Sequence, residues 1–322
     1  MKGFDQKFTD FPDYIIKITK EIWEDRGLAT LHDYYGDEIV VRSPASVVVG
    51  NAQVIGATMS TLAEFPDRTL FGEDVIWSGD EEQGMLSSHR IISTATHTGD
   101  GVYGKASGAK LRYRIIADCY AKDNKITDEW LVRDQGAIVR QLGWEPKTYA
   151  VDQIEREGGV AQAKVPFTDE VDIAGPYSGR GNDNVWGARY ADILHALFNA
   201  DFGIVSKEYD RAVLTAYPGG EEGVSFSSVD RFWLGLRASF PDAQFTIEHQ
   251  IGREDRLMPP RAAIRFSLKG KHSGWGAFGQ PSGAEVYIMG IAHAEFGPWG
   301  LRREYVLFDE TVIWKQIALQ TG

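Results

Sequence analysis

An α+β protein built twice is what this sequence predicts, on three observations. The second half repeats the first at a spacing of 175 residues, each copy opens with segments of helical patterning, and each continues into long stretches rich in Ile, Val, Thr and Tyr. The clearest part of the repeat is HTGDGVYGKASGA at His97–Ala109, which returns as HSGWGAFGQPSGA at His272–Ala284 with seven of thirteen positions identical. The same offset carries Phe65-Pro66-Asp67 onto Phe240-Pro241-Asp242, Arg90 onto Arg265, Glu129 onto Glu304 and Asp134 onto Asp309. Upstream the spacing slips by one, so that Tyr35 and Pro44 match Tyr209 and Pro218. A unit this long is a duplicated domain; solenoid repeats run only to about 50 residues.

The elements of the first copy follow in order. Between Phe11 and Arg26, Tyr14, Ile15, Ile18, Ile22 and Trp23 recur at helical spacing before an Asp-Arg-Gly break, which predicts an amphipathic first helix. Leu28–Tyr35 reads as a short second helix and Ile39–Arg42 as a short strand ended by Ser43-Pro44. Gln53–Ala63 reads as a third helix that stops near Pro66. Four long strands are predicted at Thr69–Ser78, Met85–Thr98, Lys110–Ala121 and Lys125–Val132. Asp123-Asn124 suits a tight hairpin, and the glycines between 99 and 108 a longer one. Helices followed by consecutive strands indicate an antiparallel sheet able to curve around the helices, not a βαβ arrangement. The second copy repeats the plan from Val185–Ala200 through Phe226–Phe240 to a last strand at Leu301–Asp309. The predicted organisation is a first domain at 1–148, a linker at 149–183 with about one helical turn near Tyr149–Glu157, and a second domain at 184–322.

Composition narrows the function. Each copy is long enough to bury its own core without metal or disulfide staples. A net charge of −12 with no Lys/Arg cluster argues against a nucleic-acid partner. The single cysteine, Cys119, excludes an intramolecular disulfide and a multi-cysteine zinc site, and suits an intracellular protein. No apolar run suits a signal peptide or a membrane span, so the expected location is cytoplasmic. No metal is expected, since no HExxH or comparable ligand spacing is present. No nucleotide cofactor is expected either, because the glycines at 99, 101, 104 and 108 connect two strands and open no helix.

The chain resembles the SnoaL-like polyketide cyclases of the nuclear-transport-factor-2-like superfamily, in both halves. The resemblance is carried by the opening helix ending near Trp23, the His97-Thr98-Gly99 turn with Gly104 and Ser107-Gly108, the polar strand position Asp118, and Ile126-Thr-Asp-Glu129-Trp130-Leu-Val-Arg-Asp134 leading into Arg140-Gln-Leu-Gly143. It implies two tandem cone-shaped domains, each a curved sheet wrapped around its helices over a small-molecule pocket, the pair forming an intramolecular pseudo-dimer or further pairing as a homodimer. It also implies that the family's proton-handling strand histidine falls on Asp118 in copy one and His293 in copy two. The family's acid position falls on Leu131 and Val306, a departure that leaves both copies without that group.

Side chains two apart on a strand share a face, so a pocket position at 131 brings Glu129 and Arg133 with it. Across the hairpin, Asp118 is expected near Glu129, and two carboxylates in an apolar pocket raise one pKa toward neutrality, as proton transfer requires. Glu129 also suits an ion pair with Arg112, Arg114 or Arg133, or a ligand anchor. In copy two His293 is either a catalytic group with Glu304 as its orienting partner or a buried core histidine. His97 and His272 either shape the Gly-rich turn or take a catalytic or substrate-contacting role, since imidazole exchanges protons near pH 7. Arg112, Arg114, Trp130, Arg133, His272 and Tyr287 are the candidate ligand contacts, with aromatic walls suited to an apolar or ring-shaped ligand. His89 can face either the pocket or solvent. The expected function is a cofactor-independent acid/base enzyme of cyclase, isomerase, dehydratase or hydrolase type; the alternative is a small-molecule binding or scaffold protein.

Overall fold

Asp10 starts the first helix by accepting a hydrogen bond from the Asp13 N–H, with Pro12 in the first turn where its missing donor does no harm. Helix α1 (Phe11–Thr19) buries Phe11, Tyr14, Ile15 and Ile18. Its continuation loosens into a π-helical turn at Lys20–Glu24, which carries Trp23, and a 3₁₀ turn at Leu28–Thr30 leads into α2 (Leu31–Tyr34). Strands β1 (Tyr35–Ser43) and β2 (Ser46–Val49) follow, then α3 (Asn51–Glu64), β3 (Thr69–Asp80), β4 (Gly84–Thr96), β5 (Lys110–Lys122), β6 (Lys125–Arg133) and α4 (Gln135–Gln141). The computed structural model describes residues 1–322.

The second half comprises α6 (Val185–Phe198), α7 (Gly203–Glu208), β7 (Tyr209–Tyr217), β8 (Glu221–Val224), α8 (Phe226–Ser239), β9 (Gln244–Arg253), β10 (Arg261–Lys271), β11 (Glu285–Gly297), β12 (Gly300–Leu307) and α9 (Glu310–Thr321). Between the halves, α5 (Pro146–Arg156) is a full helix of 11 residues where one turn was expected, because Tyr149 and Ile154 bury an apolar side. Sheet order is β2-β1-β6-β5-β4-β3 in the first half and β8-β7-β12-β11-β10-β9 in the second. Both sheets are mixed, contrary to a purely antiparallel expectation: β1 runs parallel to β6 and β7 to β12. Each joins its sheet beside the last strand, not by a hairpin, so turn geometry does not dictate its direction.

The turn at Asp123-Asn124 is the tight hairpin expected, both residues having positive φ. One residue beyond it the β5–β6 register shifts: Lys122 faces Lys125 and Ala121 faces Ile126, but Tyr120 faces Asp128, leaving Thr127 unpaired. The bulge recurs in the second half, where Phe296 faces Leu301 and Glu295 faces Arg303, leaving Arg302 unpaired. A bulge adds one residue to one strand and so changes which side chains share a face beyond it.

The two sheets pack through their outer faces. Ile116, Val132, Met289, Ile291 and Leu307 close around Phe167 from the connecting segment, and Ile76, Leu86, Ile251 and Ala263 form a second contact. Repeat-related residues exchange roles across this seam: the Arg90 guanidinium lies 3.6 Å from the Tyr305 ring centre, and that of Arg265 lies 3.7 Å from Trp130. Arg265 donates to Asp118 at 2.8 Å, while Arg90 meets the symmetry-related His293 at 3.1 Å. Such reciprocity is the signature of an isologous two-fold interface, here built within one chain.

The cores differ. In the second half 30 buried apolar residues form one continuous cluster. In the first half they split into a cluster around Phe4, Phe11, Tyr14 and Ile126 and another around Phe65, Tyr113, Ile115 and Tyr149.

Candidate functional site

A cavity of about 270 Å³ lies between the two core clusters of the first half. Its floor is the inner face of the sheet, with His89, Ile91, Ile115, Ala117, Cys119, Glu129, Leu131 and Arg133, and its roof is Ile15, Ile18, Trp23, Val54, Thr58 and Thr61 of the helices. The walls are mostly apolar with a few polar groups, the ordinary composition of a small-molecule site. Its mouth faces the β1–β2 hairpin and α3, where Ser46, Val48, Ala57 and Thr61 are partly or fully exposed. Trp23 reaches this wall from the π-helical turn, a feature that recurs at functional sites.

Glu129 is the cavity's one carboxylate. It is 7% exposed, and Tyr35 donates its hydroxyl to it at 3.1 Å. Burial pushes its pKa up to about 7, only partly opposed by that hydrogen bond. His89 is held down to about 4 by burial and is therefore neutral at pH 7, and its Nδ1 lies 3.1 Å from Ser87 Oγ. Burial raises the Cys119 thiol well above its ordinary value, so it is no nucleophile. No three His, Cys, Asp or Glu side chains converge in a metal-binding arrangement.

Of the residues singled out from sequence, Glu129 and Arg133 line this cavity. Asp118 does not: the Thr127 bulge sets it opposite Trp130 and not opposite Glu129, so the two carboxylates point to opposite sides of the sheet. Asp118 is instead buried against Arg265 in the seam between the halves. His293 lies in the same seam, with Nε2 2.8 Å from Ser88 Oγ, and burial together with Arg90 keeps it neutral. Trp130 is held between Arg42 and Arg265, and Tyr287 packs edge-on against Phe167. Arg114 bridges Glu73 and Glu222 beside Tyr305, and Arg112 is largely exposed near Glu222.

His97 pins the Gly-rich turn. Its Nδ1 is 3.0 Å from Ser107 Oγ and its Nε2 3.2 Å from Glu64 Oε1, while Glu64 also accepts the N–H groups of Val102 and Tyr103. Gly99 is required here because a Cβ would strike the carbonyl of Ala63. His272 repeats the contact with Ser282 at 3.0 Å, but Ser239 stands where Glu64 does and His272 Nε2 has no partner. We expect His97→Ala to lower the unfolding free energy by about 2 kcal/mol in urea denaturation, with ligand affinity at the cavity unchanged.

In the second half the corresponding space is occupied. Aligned by the repeat, Ser43 becomes Tyr217, Ala57 becomes Phe232, Thr58 becomes Trp233, Ile91 becomes Phe266 and Arg133 becomes Phe308. Tyr217 and Phe232 stack at 3.8 Å, and Trp233 is 1% exposed. Glu304, the counterpart of Glu129, is sealed among the hydroxyls of Tyr190, Tyr209 and Tyr217 and the indole N–H of Trp233 at 2.6–3.2 Å. The expected catalytic pairing of His293 with Glu304 is not formed, because Glu304 faces the core and His293 the seam.

Sequence reasoning passed over Arg68 and Thr58, placed Trp23 only on its helix, and left His89 open between pocket and solvent. The signal was in the repeat: Arg68, His89 and Thr58 stand opposite Ala243, Ile264 and Trp233, polar in one copy and apolar in the other.

Fold and cavity together define the first half as an α+β domain whose sheet and helices enclose a mostly apolar cavity. Residues 13–142 match the model of the SnoaL-like polyketide cyclase family, and the second half repeats the topology of the first. Among solved structures, IdmH from Streptomyces antibioticus, a proposed polyketide cyclase, is 20% identical, covering 41% of this chain and 98% of its own at a TM-score of 0.36. TsrD from Streptomyces laurentii is 19% identical, covering 41% and 93% at 0.36. AclR from Streptomyces galilaeus, a proposed hydroxylase, is 17% identical, covering 42% and 85% at 0.34. A search among curated proteins finds no match. No helix is long and apolar enough to cross a membrane.

Proposed function

We propose that the protein is a cofactor-independent acid/base enzyme acting on a small organic molecule in the cavity of its first half, by chemistry of the cyclase, isomerase, dehydratase or hydrolase type. The observation that carries this reading is Glu129: one buried carboxyl on a mostly apolar wall, with a pKa of about 7. A group so placed takes and returns a proton near neutral pH with little bias either way. Neutral His89 and Tyr35 are available to orient substrate oxygen atoms. With Asp118 outside the cavity, the proton taken by Glu129 is returned by Glu129 itself or by solvent at the mouth.

In this reading residues 1–148 carry the site, 149–183 connect, and 184–322 serve as a fixed partner whose pocket has been filled. The filled core and the buried seam favour a scaffold role for the second half.

The second half also supplies the test. Thr58→Trp places in the cavity the side chain that Trp233 occupies in the other copy. Enolisable ketones and hydroxy-ketones are offered to wild type and variant, with products followed by mass spectrometry. Turnover is expected in wild type and absent in Thr58→Trp, whose thermal unfolding midpoint should be equal or higher because empty space is filled. Turnover that survives the substitution locates the chemistry elsewhere. Saturable binding without turnover selects the binding-protein alternative.

A further inference from the structure

Two cations in the cavity have no part in proton transfer. Arg68, 6% exposed, and Arg133 both line it, and the Nε of each is buried without a hydrogen-bond partner. The charged and ionisable neighbours acting on Arg68 are Tyr113, Arg133 and Tyr103, with no carboxylate among them. Arg133 feels the same tyrosines and, through space, Asp309, whose carboxylate is already committed to Thr311 and the first turn of α9. Tyr113 and Tyr103 lie beside the two guanidiniums, but no carboxylate is paired with either; two buried like charges so placed oppose folding, and such an arrangement persists where a ligand supplies the missing charge. In the second half their counterparts are Ala243 and Phe308, so both charges are gone where the cavity is gone.

We propose that the cavity binds an elongated organic anion, its carboxylate seated on Arg68 and Arg133 and its apolar body lying along Ile91, Ile115 and Leu131 toward Glu129. The inference rests on the reading of this cavity as the functional site and adds the class of ligand. Guanidinium groups suit a carboxylate because their N–H donors match its two oxygen atoms. Glu129 and Arg133 lie four residues apart on one face of β6, a backbone separation of roughly 13 Å. The anionic head is therefore held about a two-ring scaffold away from the atom that exchanges a proton with Glu129. Binding energy at the arginines fixes the register of the reacting end, as remote anchors do in enzymes.

The test compares 2-naphthoate with 2-naphthamide, its neutral counterpart of the same shape, by calorimetry on the full-length protein at pH 8. The acid is expected to bind about 10- to 100-fold more tightly than the amide and to raise the thermal midpoint by relieving the buried charges. In Arg68→Met and Arg133→Met this preference should collapse while the amide still binds. Equal affinity for the two probes in wild type, no saturable binding of the acid, or a preference intact in both variants overturns the proposal. Turnover is not measured, so failure of the acid/base reading leaves a positive result standing. Naphthoate binding unchanged in Thr58→Trp removes the cavity as the anion's site and overturns the proposal, while the acid/base reading stands or falls on turnover alone.

Discussion

Asp118→Ala is expected to lower the unfolding free energy by about 3–5 kcal/mol, although Asp118 lies on the opposite face of the sheet from the candidate site. The substitution leaves the Arg265 guanidinium buried between the sheets with its charge uncompensated. Burial already raises the Asp118 pKa despite Arg265, and lowers that of Arg265 despite Asp118, so neither charge is comfortable alone. Denaturant titration should show the loss, and the double replacement Asp118→Leu with Arg265→Met should recover most of it, because an apolar pair needs no compensation. A single-variant loss below about 1 kcal/mol would mean that the seam admits water and the pair is effectively exposed. The repeat-related contact is neutral on one side, so His293→Ala should lose less, about 1–3 kcal/mol.

Glu129→Gln is expected to reduce the rate of the proton-transfer step by about 10²- to 10⁴-fold while stabilising the fold at alkaline pH. The two effects have one cause. Its folded pKa of about 7 lies above the ordinary 4.5, so between those values the native state holds the proton more tightly than the unfolded chain. The resulting stabilisation is complete below about pH 4.5 and is lost as pH rises through 7, a difference of order 3 kcal/mol. Gln cannot ionise, so the variant should match wild type near pH 5 and exceed it at pH 8. Asp134 and Asp309, raised by burial to about 6, slope the same way in both proteins and cancel in the comparison. Wild-type activity should change through an apparent pKa near 7, rising with pH if Glu129 acts as base and falling if it acts as acid. Equal stability of the two proteins at pH 8 would show that the carboxyl is hydrated, and with it the basis for a tuned proton carrier would disappear.

Much of this molecule was legible in its sequence because duplication writes the same constraints twice. The four long strands of the first half are observed within two residues of the predicted limits at each end, and the Asp123-Asn124 turn has the backbone it was read to have. Alternation on β6 placed Glu129 and Arg133 in the cavity from their spacing to position 131. Elements without such marks were missed. Strand β2 is four residues long, and α9 follows the last strand with little contrast between its faces. The π-helical turn that brings Trp23 to the cavity leaves no signature in residue order, because α1 and α6 carry the same pattern.

Asp118 marks the boundary of what pattern alone can decide. Counting outward from the hairpin puts Asp118 opposite Glu129, and one unpaired residue, Thr127, undoes the count. A bulge is a choice among near-equal local conformations that is settled by how the whole sheet packs, so residue order does not announce it. It sends Asp118 and His293 into the seam, where they hold two halves together, and leaves Glu129 alone inside. The sequence by itself determined that one architecture occurs twice and that the copies differ in polarity where a ligand belongs. Only the tertiary structure decided that Trp233, Phe232, Tyr217 and Phe308 meet in one core and close it, whereas Thr58, Ala57, Ser43 and Arg133 leave it open. Side-chain volume is written at each position, but whether volumes sum to a filled core or a cavity depends on which positions converge in space.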